Sequence, residues 1–542
     1  MPQERVSLTT RAHTLNLPLL GGLASLVVIL LLIGGAFVAL LLAAADIDIG
    51  AVVGDSYIRH VVGFTVWQAA LSTLLSVGLG VPVVRALARR PRFFGREGLR
   101  YLFAMPFLTP VIVAIFGLVA IYGVSGWLNR GLDLLGSAQD FHLYGLAGIL
   151  IAHVFFNMPM VVTLLLPRFE AVPADSWRLA AQLGMKSGAI FRVIELPLLR
   201  QTLPTIAMLV FLLCFVSFVV VLALGGGPQA TTLEVAIYQA LRFDFDLGRG
   251  VSLALLQLAI GAGLFAMTRL LERQMPLMPK LRSLVARPDA AGRLGRALDL
   301  IVIAIAALFV ATPLAAIVIE GILGSVGHLV SDPRLQLGTL RSLTIAGCAS
   351  LLCGCLALGI SMSGRQRPGR SPRWSGLLQM ASVSGLVVSP LALGTGLFLL
   401  FRPVVDQPWI AYGLVVAMNA IMALPFGLRT LSQAVADAAR EDDRLCGALG
   451  LSGWNRWRLI DWPKLRRPLG GCLALAFSLA LGDLSAIALF GRDGMETLPL
   501  LLYQQMGAYH MPDANVTAAL LLILNFACYA AIAAGVGGRA RR

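Results

Sequence analysis

Apolar runs of about 20 residues alternate with short polar loops from one end of this chain to the other. That length is what a helix needs to cross about 30 Å of hydrocarbon. The pattern predicts helices over 17–45, 61–85, 101–124, 144–167, 203–224, 250–271, 297–325, 340–363, 376–402, 410–430, 469–491 and 516–537. The result is an all-α, polytopic membrane protein with about twelve spans, an even number that leaves both ends on one side. The first run is too long for the apolar region of a cleaved signal peptide and is read as a retained helix. Two polar stretches break the rhythm: Arg178 to Pro197, RLAAQLGMKSGAIFRVIELP, and Arg444 to Pro463, RLCGALGLSGWNRWRLIDWP. Aligned without a gap, they share Arg, Leu, Leu, Gly, Arg, Ile and Pro at an offset of 266 residues.

The composition supports the membrane reading. Of 542 residues, 58% are hydrophobic and 13% charged, about half the charged share of a soluble chain. A formal net charge of +15 would suggest nucleic acid in a soluble protein, but its placement points to a lipid membrane. Arg85, Arg89, Arg90, Arg92, Arg96 and Arg100 crowd one loop; Arg273, Lys280, Arg282, Arg287, Arg293 and Arg296 a second; Arg365, Arg367, Arg370 and Arg373 a third. The intervening loops carry Asp46, Asp48 and Asp55, then Arg130, Asp133 and Asp140, then Asp493, Glu496 and Asp513. By the positive-inside rule the basic loops, both termini and both polar stretches face the cytoplasm. Six of the seven cysteines fall in apolar helices, where lipid-facing packing is the simple reading, and Cys353-Gly-Cys355 lacks a second ligand pair for a metal. His153, mid-helix, suits a hydrogen bond to a neighbouring helix.

The repeat extends beyond the two stretches. Pro159 lies 266 residues before Pro425. Thr232, Leu233, Tyr238 and Gln239 match Thr497, Leu498, Tyr503 and Gln504 at an offset of 265. The chain therefore divides into a first six-helix half (1–272), a basic linker (273–296) and a second six-helix half (297–542). Each half starts and ends inside, so the copies are parallel, unlike inverted repeats, which need an odd number of helices.

Within each polar stretch, Leu179 and Leu183, like Leu445 and Leu449, share a helix face. Gly184 and Gly450 suit a left-handed stop, with Met185 and Leu451 beginning the next segment. Arg192 and Arg458 follow, and Pro197 and Pro463 end the segment before the next span. A matched Gly-to-Pro spacing suits two docking surfaces for a twofold partner better than contact with lipid headgroups.

The G…I-x-L-P and G…I-x-W-P patterns resemble the cytoplasmic Glu-Ala-Ala loop of ABC-importer permeases. That resemblance implies the type I (MetI-like) fold, coupling loops at 168–202 and 431–468, and a separate, homodimeric ATPase into which the loops insert. The name-giving residues are replaced by Arg178-Leu179-Ala180 and Arg444-Leu445-Cys446. AHVFFNMPM (Ala152 to Met160), LAAQLGM (Leu179 to Met185), LGGGPQATTLEVAIYQAL (Leu224 to Leu241) and TLPLLLYQQMGAY (Thr497 to Tyr509) are similar to the permeases of thiamine and thiamine pyrophosphate importers. This narrower resemblance implies a periplasmic thiamine-binding protein as the second partner. Iron(III) or polyamine import by the same architecture, and an ion-coupled secondary transporter, remain the alternatives.

No phosphate-binding G-x-x-x-x-G-K-[ST] loop occurs, so ATP and Mg belong to the partner and the chain itself is expected to hold no cofactor or metal. It is read as a translocation subunit, not an enzyme. Asp483, inside an apolar run, is a candidate counter-charge on the pathway or a structural acid. Its counterpart is Ser217. Thr232, Tyr238, Gln239, Thr497, Tyr503 and Gln504 are candidates for an outer gate or a binding-protein contact.

Overall fold

The computed structural model describes residues 17–44, 54–136, 141–271, 287–290, 292–324, 332–365, 388–405, 407–451, 453–491 and 494–538. Linker residues 273–286, the basic cluster at 367–373 and the first part of the predicted span 376–402 lie outside the described residues. The described residues are helical throughout, and ten helices are long and apolar enough to cross a membrane.

In chain order the first helices are α1 (Leu17–Ile29), α2 (Gly35–Ala43), α3 (Ser56–Arg89), α4 (Arg96–Leu108), α5 (Val111–Tyr122), α6 (Trp127–Leu134) and α7 (Leu146–Glu170). Then come α8 (Ala174–Gln182), α9 (Ser187–Ile190), α10 (Leu196–Phe215), α11 (Val219–Leu224), α12 (Leu233–Arg242) and α13 (Leu247–Leu271). After the linker follow α14 (Arg293–Leu323), α15 (Pro333–Ser363), α16 (Pro390–Phe401), α17 (Pro408–Ala448) and α18 (Gly453–Arg456). The chain closes with α19 (Trp462–Leu481), α20 (Ser485–Phe490), α21 (Leu498–Gly507) and α22 (Met511–Gly537).

Contacts on one side of the molecule recur on the other. α3 packs on α7 and α10 as α15 packs on α17 and α19. The short helix α12 lies on α13 as α21 lies on α22. Capping residues follow suit. Asp55 accepts the Tyr57 amide at 2.8 Å to start α3, and Asp332 accepts the Arg334 amide at 2.9 Å to start α15. The Leu233 amide donates to Thr65 Oγ1 at 3.0 Å, and the Leu498 amide to Ser342 Oγ at 2.8 Å.

The leading helices are exchanged. α1 and α2 pack on α15 and α16, whereas α14 packs on α3 and α5. Both crossings use a glycine. A Cβ on Gly396 would lie 2.4 Å from the Ala36 carbonyl oxygen, and one on Gly117 would lie 2.5 Å from that of Pro313. Lipid tails are as apolar as leucine, so close backbone approach through small residues supplies much of the association between such helices.

Three predicted spans are broken rather than continuous. The run 101–124 stops at Thr109, in extended conformation before Pro110, because the proline ring disfavours a helical residue ahead of it. The run 203–224 breaks between Phe215 and Val219, and 469–491 breaks at Gly482–Leu484. The expected ends at Pro197 and Pro463 do not occur. Each proline sits in the first turn of a helix that continues, preceded by a π turn (Phe191–Glu195 and Trp457–Asp461). A proline lacks the donor an α-turn needs, and a wider turn accommodates that loss. The buried cysteines also differ from the lipid-facing reading: Cys353 and Cys472 are buried against Gly427.

Candidate functional site

The two polar stretches form a matched pair of protruding turns. In the first, α8 ends at Gln182, and Gly184 takes φ +61°. The Met185 amide reaches back to the Ala180 carbonyl at 3.0 Å. In the second, α17 ends at Ala448, Gly450 takes φ +65°, and the Leu451 amide reaches the Cys446 carbonyl at 2.9 Å. Both are left-handed Schellman stops, which glycine adopts without a Cβ clash. Leu179 and Leu183 on one copy, and Leu445 and Leu449 on the other, are more than half exposed. Val193 and Leu459, at matched positions, are exposed as well. Arg178, Arg192, Arg444 and Arg458 are exposed, and Pro197 and Pro463 lie beside them at the surface. Among the described residues, Arg178 pairs with Asp175 on its own helix.

The lead-ins to the turns differ. Pro173 separates α8 from α7, whereas α17 runs unbroken over 41 residues to the stop. The matching position in α17 is Ala439, which retains its backbone donor. Beneath the turns, an acid that sequence reasoning passed over anchors each copy. Glu195, buried, pairs with Arg85 at 2.7 Å and with Arg287 at 2.5 Å. Asp461, its equivalent, pairs with Arg365 at 3.0 Å and Arg456 at 3.5 Å. The signal was an acid two residues before each proline.

Arg287 fastens the described part of the linker to the first copy. Its guanidinium stacks on the Trp177 ring at 4.4 Å and bonds Asp289 at 3.1 Å. Arg89 joins Asp289 to Asp299 of α14 and donates to Ser187 Oγ at 2.9 Å. Burial raises the Asp289 carboxyl, but Arg287 and Arg89 outweigh it and hold the group below its ordinary value. The second copy rests instead on Arg365 and Arg456, which share Asp443.

At the opposite end, α12 and α21 carry the paired candidates. Thr232 and Thr497 are extended residues at the starts of these helices, buried, with hydroxyls that lack a hydrogen-bond partner. Tyr238 is buried and Tyr503 half-buried. Tyr238 also meets the rings of Phe218 at 5.3 Å and Phe243 at 5.6 Å. Gln239 is half-buried and Gln504 exposed. Asp483 uses both oxygens on backbone amides, Ser485 at 3.1 Å and Ala486 at 3.0 Å, and so caps α20. Ser217 lies in the equivalent break between α10 and α11. Glu234, one turn before Tyr238, is fully buried, and sequence reasoning missed it. Its only signal was an acid within TTLEVAIYQAL. Among the described residues no group of three or more His, Cys, Asp or Glu could hold a metal ion.

Repeated helical packing and twin exposed turns on the basic face are the architecture of a transport permease. Residues 77–276 match the family described as binding-protein-dependent transport system inner membrane component. The chain is 43% identical over 530 residues to the thiamine transport system permease protein ThiP of Brucella abortus, covering 98% of this chain and 96% of that one. It is 41% identical to the protein of that name in Escherichia coli, covering 95% and 96%. A molybdenum transport system permease protein, ModB of Mycobacterium bovis, is 30% identical over 36% of this chain and 74% of its own length. The chain belongs to the family of thiamine transport system permease proteins, multi-pass components of the bacterial inner membrane.

Proposed function

We propose that the chain is the translocation subunit of an ABC importer that moves thiamine or thiamine pyrophosphate inward by alternating access. Its twelve spans are two parallel six-helix repeats of the type I (MetI-like) permease fold, with both termini in the cytoplasm. The observation that carries the reading is the paired turn. Two glycine-stopped helices present Leu179 and Leu183, and Leu445 and Leu449, to solvent on the basic face. Two equivalent apolar knobs suit a homodimeric ATPase that binds ATP and Mg on its own subunits. Nucleotide-driven closure would then move both knobs, and the halves with them, because only differential contacts in two states can shift the equilibrium.

At the far face, α12 and α21 would receive a periplasmic thiamine-binding protein and, through Tyr238 and Tyr503, close the outer gate. Reconstitution of the chain with its ATPase in liposomes tests the reading. Thiamine-loaded binding protein should stimulate ATP hydrolysis and thiamine uptake. Stimulation by iron-loaded or polyamine-loaded protein instead would replace the substrate and leave the architecture. Uptake that persists without the ATPase and follows an ion gradient would mark a secondary transporter.

A further inference from the structure

Among the described residues, the buried acids Glu195 and Asp461 have arginines, and Asp483 has two backbone amides. Glu234 differs from these. It has no exposed surface; Oε1 accepts from Gln257 Nε2 at 2.7 Å, and Oε2 has no hydrogen-bond partner. No basic side chain is among the groups that act on it, which are Ser389, the Leu391 backbone and Gln257.

Its position is equally specific. α12 belongs to the first half, yet it packs on α16 and α20 of the second, so Glu234 lies where the halves meet. Ser389, which starts α16, already accepts the Ala392 amide at 3.0 Å, so that helix start has its own cap. One turn along the same face of α12 stands Tyr238, with Phe218 and Phe243 edge-on to its ring. A carboxyl group one helical turn from an aromatic ring has the chemistry to answer an organic cation, through charge and through the ring quadrupole. The second half has Pro499 at the matching position, so the junction carries one such acid, not a pair.

We propose that Glu234, with Tyr238 one turn along the same helix, is the counter-charge for an aromatic organic cation as it passes between the two halves. The carboxylate is enclosed in the conformation described here. Rocking of α12 against α16 and α20 would open it to the passing ligand. The proposal rests on the thiamine-import reading and names the residue that would answer the thiazolium charge.

The test compares two ligands delivered by the same binding protein to the full transporter in liposomes: thiamine, and an isostere lacking the quaternary nitrogen. The binding protein's own preference cancels when the cation-to-neutral uptake ratio of a variant is divided by that of the wild type. Glu234→Gln should lower this ratio about tenfold, the loss of one modest charge interaction, and Glu234→Asp should restore part of it. Tyr238→Leu should lower it in the same direction and decides the matter if the Glu234 variants do not assemble. An unchanged ratio, including one in which both ligands slow equally, overturns the proposal. Failure of the wild type to take up either ligand would instead sink the import reading, with the ratio never entering.

Discussion

At the scale of single residues, the glycines and acids divide by the reason each is needed. A Cβ on Gly184 or Gly450 would meet no atom within 4 Å. Any loss on substitution therefore comes from the left-handed backbone alone, which costs about 1–2 kcal/mol for other residues. Gly184→Val and Gly450→Val should each reduce thiamine uptake per ATP hydrolysed. The losses should be unequal, because Trp177 and Arg287 support one turn and Arg456 and Asp443 the other; equal losses would make the divergence neutral. Gly396→Val meets a backbone carbonyl that no rotamer change can move, so detergent melting should show a loss of about 3 kcal/mol. Asp483→Asn keeps a capping oxygen and should leave stability and uptake near wild type, whereas Asp483→Ala should cost about 1 kcal/mol. Asp289 has a depressed folded-state value. Its contribution to stability is therefore full above about pH 4 and falls away as pH drops through the folded value. Asp289→Asn should remove that part of the acid transition seen by fluorescence.

At the scale of elements, what could be read in advance was what repeats locally. The turn glycines were legible because a polar, glycine-centred segment stands out in an apolar chain and occurs twice. The Thr-Leu…Tyr-Gln pairs were legible for the same reason. The breaks at Thr109, Phe215 and Gly482 were not, because hydropathy sums over a run and does not register a local change in direction. The ion-paired supports were hidden for another reason. Arg287 looks like one more basic loop residue, and only its approach to Glu195 and Trp177 gives it a role. Arg287→Ala should cost about 3 kcal/mol, at the low end for a broken buried pair because Arg85 still reaches Glu195. Hydrogen exchange should quicken across 174–195 and not across 444–461. Faster exchange in both segments would show that the linker supports the whole basic face.

At the scale of the whole molecule, the exchanged leading helices could not be read from a pattern along the chain, since either half could in principle have kept its own. Their geometry bears on how the protein is made. α1 and α2 leave the ribosome well before the surfaces they pack on, α15 and α16, which are encoded more than 300 residues later. At about 5–20 residues per second, this leading span waits roughly 15–75 s in the bilayer without its partner. During that interval Gly21, Gly22 and Gly35 present an unclaimed small-residue face. Insertion factors, or a second nascent copy, could occupy it, so completion of the first half depends on synthesis of the second. A chain halted at the linker should be degraded, and co-expression of the missing half as a separate polypeptide should rescue it.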